Sequence, residues 1–322
     1  MKRIAAIALT ALLAAATLSG CGKTTVPATA GDSGKISVVT TIFPPYDFAR
    51  QIAGDKAAVN MLLLPGSESH SLEPTPQDII TIQNCDVFIY VGGESDEWVN
   101  NVLSSMDTSG IKIITLMDCA EIVEEEIVEG MQEEEEDTSG NSEADEPEYD
   151  EHVWTSPRNA KLIVKKISDT LCEVDGANAD TYKSNTTEYL GRLDELDAKF
   201  QAVVDNAARK TIVFGDRFPF RYFADTYGLE YFAAFPGCST ETEASAATVA
   251  FLIDKINAEK IPVVFHIELS NEKMANSISE ATGAQVRLLH ACHNISKADF
   301  ESGKGYIDLM SANAEALKEA LE

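Results

Sequence analysis

Imidazole side chains are scarce in this chain, and two of them lie in short motifs rich in acids and prolines. The chain has five histidines among 322 residues. His70 lies in Gly-Ser-Glu-Ser-His-Ser-Leu-Glu-Pro (66–74), and His152 lies in Asp-Glu-His-Val-Trp-Thr-Ser-Pro (150–157). Neutral imidazole nitrogen is a favourable ligand for zinc and similar ions. We therefore interpret both histidines as candidate metal ligands.

Other potential ligands follow predicted strands in the second half of the chain. Asp216, Glu268 and His290 each come just after an apolar run that predicts a strand. Ligands of parallel α/β sheets bind beyond the carboxyl ends of the strands, so we expect these side chains to converge with His70 on one cleft. The other role open to Asp216 and Glu268 is an ion pair with Arg217 or the capping of a helix.

Short apolar runs alternate with helical patterns along the whole chain. Fully apolar strands separated by helices indicate parallel sheets covered on both faces. The fold class that we predict is α/β, with two lobes, each a four-stranded parallel sheet flanked by helices. The predicted strands are Ile36–Ile42, Val59–Leu64, Val87–Val91, Ile111–Leu116, Thr211–Phe214, Leu229–Ala233, Val263–Ile267 and Gln285–Leu289.

A long helical pattern separates the two sets of strands. From Ala179 to Asn206 the apolar residues recur mostly at spacings of three and four, which predicts an amphipathic helix of about 28 residues. We therefore place an N-terminal lobe at 35–177, a linking helix at 178–208 and a C-terminal lobe at 209–322.

The N-terminus has the pattern of an export signal. Met-Lys-Arg is followed by a short apolar run and then by Leu-Ser-Gly-Cys (18–21). This ending resembles a bacterial lipobox, which predicts a signal peptide at 1–20, a lipid on Cys21 and a flexible tether at 21–34. The alternative is an ordinary signal peptide with an incidental cysteine. Both place the mature protein outside the cytoplasm.

Charge is concentrated in one segment. The formal net charge is -28, and residues 121–151 contain sixteen Asp or Glu and no Lys or Arg. A strongly anionic chain argues against nucleic acid as a partner and is compatible with cations. The acidic insert at 121–151 has two interpretations: a disordered, solvated loop, or a weak collector of cations beside His152.

The two histidine motifs resemble the metal-binding loops of the solute-binding lipoproteins of ABC-type zinc and manganese importers. The resemblance covers about residues 35–322. It implies two α/β lobes joined by a rigid helix, with a metal ion in the interlobe cleft and with His70 and His152 among its ligands. It also implies a protein that is lipid-anchored to the cell membrane and delivers its ion to a permease with an ATPase subunit.

The chain departs from this family's pattern at two positions of the second lobe. The family has a histidine before the aromatic-rich helix that opens the lobe, and Arg217 stands in that position here. The position after the last strand, where the family has an aspartate, aligns with His290. We therefore predict His290 as the third nitrogen ligand, with His293 as its substitute if the loop turns differently. Glu268 and Asp216 are candidates for further ligands.

Five cysteines follow Cys21, and none of them belongs to a Cys-x-x-Cys pair. A thiolate zinc site is therefore not expected. Some relatives in the resembled family have a disulfide in the C-terminal half, which makes Cys238 and Cys292 our preferred pair. The alternative is that all five are small buried apolar residues.

Three imidazoles with one carboxylate suit zinc, whereas manganese sites have more oxygen ligands. We therefore expect a zinc-binding component of an ABC importer that catalyses no reaction. One alternative is a manganese or iron carrier of the same class, in which Asp216 and Glu268 both bind the ion. The other is a secreted zinc hydrolase. It would need a general base, and the chain has no His-Glu-x-x-His motif to supply one.

Overall fold

Two four-stranded parallel sheets form the centre of the protein, which confirms the predicted α/β class with two lobes. The computed structural model describes residues 34–68, 72–132, 148–239 and 243–322. Residues 36–322 form one compact unit, and the unit before it is described only at Gly34 and Lys35. The predicted signal peptide, Cys21 and nearly all of the predicted tether lie outside the described residues.

The N-terminal sheet has the strand order β2-β1-β3-β4. Successive residues such as Val38 and Val39, or Phe88 and Ile89, are fully buried. Because successive side chains of a strand point to opposite faces, both faces of this sheet are covered. Its elements are β1 (Ile36–Thr40), α1 (Phe43–Ala53), β2 (Ala57–Met61), α2 (Pro76–Gln83), β3 (Val87–Tyr90), α3 (Glu97–Ser104), β4 (Lys112–Thr115) and α4 (Pro157–Val174).

The C-terminal sheet repeats this arrangement with the order β6-β5-β7-β8. Its neighbouring strands are all parallel, so their carboxyl ends meet at one edge. The elements of this lobe are β5 (Thr211–Phe218), α6 (Arg221–Tyr227), β6 (Glu230–Pro236), α7 (Ala246–Glu259), β7 (Val263–His266), α8 (Lys273–Thr282), β8 (Gln285–Leu288), α9 (Lys297–Glu301) and α10 (Tyr306–Leu321).

The strands β5 and β6 both end later than the sequence predicted. β5 does not end at Phe214 but continues, after a register irregularity, until Arg217 pairs with Phe235 and Phe218 with Pro236. The residue before a proline favours extended backbone, and Phe218 precedes Pro219. Asp216 and Arg217 therefore belong to the end of a strand, and the next helix begins at Arg221.

The linking helix α5 (Ala179–Asp205) has 27 residues and forms part of the core. Its apolar face packs on α1, α4 and α10. Asp47 of α1 connects three of these helices, because it is fully buried and accepts hydrogen bonds from the Tyr306 N–H (2.8 Å) and the Tyr189 hydroxyl (3.3 Å). Among the described helices, none is both long and apolar enough to cross a membrane.

Candidate metal centre

His152 is fixed by the residue two positions before it. The imidazole is fully buried, and its Nδ1 lies 3.0 Å from Oδ1 of Asp150, which also accepts the His152 backbone N–H at 2.7 Å. Burial lowers the pKa of His152 well below its ordinary value, and the charges of His293 and Arg217 lower it further. The ring is therefore neutral, which is the form that binds metal ions.

His293 meets His152 from the other lobe. The two rings are arranged edge to face, with centroids 4.6 Å apart. Trp154 lies beside both rings, 5.3 Å from the centroid of His293, and its indole N–H donates to the Ala291 carbonyl at 2.8 Å. The segment after β8 is thus held against the His152 loop.

Glu268 fixes the loop that carries His293. Its two carboxylate oxygens accept the backbone N–H groups of Ala291 (2.6 Å) and His293 (2.9 Å). The same oxygens lie 3.5 Å from Nδ1 of His290 and 3.6 Å from Nδ1 of His293. Burial alone would raise the pKa of Glu268, but His290, His293 and the backbone N–H donors together lower it to about 2. The carboxylate is therefore ionised.

His290, which the sequence favoured as the third ligand, shares the Glu268 carboxylate with His293 but is held by other groups as well. Nδ1 of His290 accepts the Cys292 backbone N–H at 3.0 Å. The backbone N–H of His290 donates to the side-chain oxygen of Asn313. Burial lowers the pKa of His290, and the charges of Glu268 and Asp299 oppose this effect. The ring that contacts His152 is that of His293, three residues later. A left-handed conformation at Cys292 (φ 65°) turns the loop between them.

The side chains of Asp216 and Arg217 both form hydrogen bonds with backbone groups near the cleft. The two oxygens of Asp216 accept the N–H groups of Arg217 (2.9 Å) and Ile267 (3.2 Å). The Arg217 guanidinium donates to the Ser239 carbonyl at 3.2 Å and lies 3.5 Å from a Glu68 carboxylate oxygen. Arg217 lines the cleft together with His293.

His70 lies outside the described residues, but the chain before it is tied to the C-terminal lobe. Asn294 donates to the carbonyls of Leu64 and Ser67, both at 2.8 Å. The Gly66 N–H donates to the Ile295 carbonyl at 2.8 Å. Ser67 therefore lines the same cleft as His293.

The predicted disulfide between Cys238 and Cys292 is wrong for this structure, because both residues are free thiols. Cys292 is fully buried, with its sulfur 3.8 Å from the His290 carbonyl oxygen. The Cys238 sulfur, a nitrogen of His152 and a carboxylate oxygen of Glu151 all lie within 4.8 Å of one another. Glu151 is also bonded to the Ser95 hydroxyl at 2.5 Å. Sequence reasoning missed Cys238 as a neighbour of His152, since no local motif joins residues so far apart in the chain.

The acidic insert is ordered at both of its ends, which contradicts its interpretation as a disordered loop for those residues. Residues 121–132 and 148–151 are described, and Glu124 forms an antiparallel bridge with Tyr149. Residues 133–147 lie outside the described part of the chain. The ordered ends contact the C-terminal lobe beside the His152 loop.

Comparison with known families identifies this arrangement. A family model described as "Zinc-uptake complex component A periplasmic" (ZnuA) matches residues 38–320. The chain belongs to the ZnuA family. This confirms the resemblance to solute-binding proteins of zinc importers.

Individual relatives support the assignment of the chain to the ZnuA family. The chain is 32% identical over 305 residues to the "High-affinity zinc uptake system protein ZnuA" of Bacillus subtilis, covering 94% of this chain and 93% of that protein. It is 31% identical over 289 residues to the "Zinc-binding lipoprotein AdcA" of Streptococcus pneumoniae, covering 90% of this chain but 56% of AdcA. This chain therefore spans about half of the AdcA relative.

Solved structures of this family share the fold. The Zn(II)-bound ZnuA-like domain of Streptococcus pneumoniae AdcA has a TM-score of 0.74 and 30% identity, covering 89% of this chain and 99% of that one. The metal-dependent lipoprotein YcdH of Bacillus subtilis has a TM-score of 0.75 and 30% identity, covering 89% of this chain and 100% of that one.

Proposed function

We propose that this protein captures one Zn²⁺ ion in the cleft between its lobes and delivers it to the permease of an ABC transporter. The observation that supports this most directly is the contact between the buried rings of His152 and His293 at 4.6 Å. In each ring Nδ1 is directed to a carboxylate, Asp150 or Glu268. The ion would therefore bind through Nε2, with the carboxylates fixing the imidazole orientations.

The ligand set that we propose is His70, His152 and His293. His70 comes from the loop whose preceding residues are bonded to Asn294, the neighbour of His293. His293 replaces His290 in this set because Nδ1 of His290 accepts the Cys292 N–H, whereas the ring of His293 lies directly against that of His152. Glu268 then serves to hold the His293 loop in place.

Zinc is favoured over manganese by the shortage of available oxygen ligands. A manganese site would require carboxylates such as Asp216 and Glu268. Both oxygens of Asp216 accept backbone N–H groups, as do both oxygens of Glu268. Each carboxylate is thus held in place by backbone donors, and ligation would have to use the remaining lone pair of an oxygen in that fixed position. Three imidazoles suit zinc better.

The cellular setting that we propose is the outer face of the cell membrane. The basic start, the apolar run and the Leu-Ser-Gly-Cys ending support export and a lipid on Cys21. The lipoprotein relative AdcA is consistent with such an anchor. The permease and its ATPase subunit would then receive the ion from the anchored protein.

A chelator-competition titration of the purified protein tests the metal assignment. We expect one tightly bound zinc ion, and the variants His152→Ala and His293→Ala should each weaken its binding by at least about tenfold, because each removes a nitrogen ligand. His266→Ala is the matched control, since this imidazole is bonded to the Ile267 carbonyl. Unchanged zinc affinity in both His152→Ala and His293→Ala would contradict the proposed site.

A further inference from the structure

The described part of the acidic insert contains a strap that lies on the C-terminal lobe. We use "strap" for residues 121–132. The strap runs antiparallel to residues 148–150: the Glu125 N–H donates to the Glu148 carbonyl at 2.9 Å, and the Asp150 N–H donates to the Val123 carbonyl at 3.0 Å. Because the returning arm leads directly into His152, the strap is connected to the candidate metal centre through the backbone.

The strap binds the edge strand of the second sheet. The Gln132 N–H donates to the carbonyl of Ala234 in β6 at 2.9 Å. Glu126 lies 3.4 Å from the Arg221 guanidinium and accepts the Tyr231 hydroxyl at 3.3 Å. The strap thus adds a further attachment between the two lobes, besides the contacts made by Asn294 and Trp154.

Within the strap, Glu125 has a different target from Glu126. One carboxylate oxygen of Glu125 accepts the backbone N–H of Gly237 at 2.8 Å and that of Cys238 at 3.3 Å. Charged acceptors on backbone N–H groups form strong hydrogen bonds. Glu125 therefore holds the turn that follows β6 in one position.

That turn is packed directly against the imidazole of His152. A Cβ atom placed on Gly237 would lie 3.0 Å from Cε1 and 3.1 Å from Nδ1 of His152. A side chain at this position would press on the ring, so the turn and the imidazole are in close contact. A displacement of the turn would therefore change the space that confines the ring edge bonded to Asp150.

We propose that Glu125 is a positioning residue of the metal site, acting on His152 through the backbone of Gly237 and Cys238. The inference rests on the proposed zinc function and goes beyond it by giving the acidic insert a role in the cleft. Groups that orient a metal ligand typically change metal affinity by about 10- to 100-fold when they are removed. Glu125 would do so without contacting the ion.

The test compares Glu125→Ala, Glu125→Gln and Glu126→Ala in the mature chain, with zinc affinity measured by chelator competition. We expect Glu125→Ala to weaken zinc binding about tenfold. Glu125→Gln should stay within about threefold of wild type, since its amide oxygen can still accept the Gly237 N–H. Glu126→Ala, which breaks other strap contacts, should change affinity less than about twofold, as expected for an exposed ion pair.

A second readout separates positioning from general destabilisation. The ¹⁵N NMR signals of the His152 ring in the metal-free protein should shift in Glu125→Ala and stay in place in Glu126→Ala. Wild-type zinc affinity in folded Glu125→Ala would overturn the proposal, and so would equal weakening by both alanine variants. If Glu125→Ala does not fold, Glu125→Asp decides, because its shorter carboxylate should weaken zinc binding and an unchanged affinity would refute the role.

Failure of this inference can be told apart from failure of the zinc site itself. If His152→Ala and His293→Ala lose zinc while the Glu125 variants keep it, only the positioning role is wrong. If none of these variants changes zinc binding, the cleft site is wrong as well.

Discussion

His152 and His293 are separated by most of the C-terminal lobe in sequence, yet their rings meet edge to face at 4.6 Å with an interplanar angle of 81°. One ring belongs to the loop before α4 and the other to the loop after β8. An ion bound by both would connect the two lobes. Zinc binding should therefore stabilise the folded state of the protein.

The first prediction concerns this connection. Zinc at about 100 times its dissociation constant should increase the free energy of unfolding by about 2.7 kcal/mol, since it binds only the folded chain. At the same zinc concentration, His293→Ala should show a much smaller increase. Thermal unfolding with and without zinc measures both. An equal zinc-induced shift in wild type and His293→Ala would mean that the ion binds elsewhere.

The second prediction separates His290 from His293. His290→Ala should weaken zinc binding much less than His293→Ala, because His290 acts on the loop through the Cys292 N–H at 3.0 Å. The measurement is chelator competition on both variants side by side. If His290→Ala weakens binding as strongly as His293→Ala, the original prediction of His290 as a ligand regains its support.

The third prediction concerns which part of the acidic insert supports the metal site. Replacing residues 133–147 by a Gly/Ser segment of equal length leaves Glu125 and Gln132 in place, so the tight zinc site should keep its affinity. Deleting residues 124–146 removes both anchors and should weaken it. Isothermal titration calorimetry with zinc compares the two. Loss of the tight site after the Gly/Ser replacement would show that residues 133–147 contribute a ligand.

The fourth prediction concerns pH and Asp96 in the N-terminal lobe. Burial raises the pKa of this carboxyl from 3.8 to about 6, although the N–H groups of Val91 and Gly92 oppose the shift. A raised pKa means that the folded state binds the proton more tightly than the unfolded state. The stability that Asp96 contributes is therefore full below pH 4 and is lost as the pH rises through 6.

Asp96→Asn should remove this loss. Between pH 4 and pH 7, the free energy of unfolding of the variant should gain on the order of 2 kcal/mol relative to wild type. Urea titrations of the metal-free protein at both pH values measure it. Asp107→Asn is the control of opposite sign, because the Ser109 N–H lowers the pKa of Asp107. Parallel pH dependence in Asp96→Asn and wild type would contradict the prediction.

The fifth prediction concerns Asp47, which connects the helices behind the cleft. Asp47→Ala would leave the Tyr306 N–H, the Tyr189 hydroxyl and the Arg50 guanidinium without the acceptor they use now. We expect a loss of about 3–5 kcal/mol of stability in urea titrations. Asp308→Ala, which removes an exposed cap of α10, should cost about 1 kcal/mol. Similar losses in both variants would show that buried Asp47 contributes no more to the free energy of unfolding than exposed Asp308 does.

The local pattern of apolar residues was sufficient to predict most of the strands and the linking helix. The apolar runs at Ile36, Val87, Val263 and Gln285 became strands, and the three- and four-residue spacing from Ala179 became the 27-residue helix. Periodicity and apolar content are properties of neighbouring residues, so they can be read from the sequence alone. The end of β5 was missed because pairing with β6 extended it.

The sequence by itself determined that imidazoles and carboxylates lie at the carboxyl ends of strands in two lobes, and hence that a cleft could bind a metal ion. Tertiary structure decided which of them meet. His290 and His293 are three residues apart, and the turn at Cys292 together with the Glu268 carboxylate directs His293 to His152. Glu125 is equally hidden in the sequence, because it reaches Gly237 only after the strap has bound β6. The contacts of His152 with His293 and of Glu125 with Gly237 each join chain segments more than a hundred residues apart, so packing and not local pattern forms them.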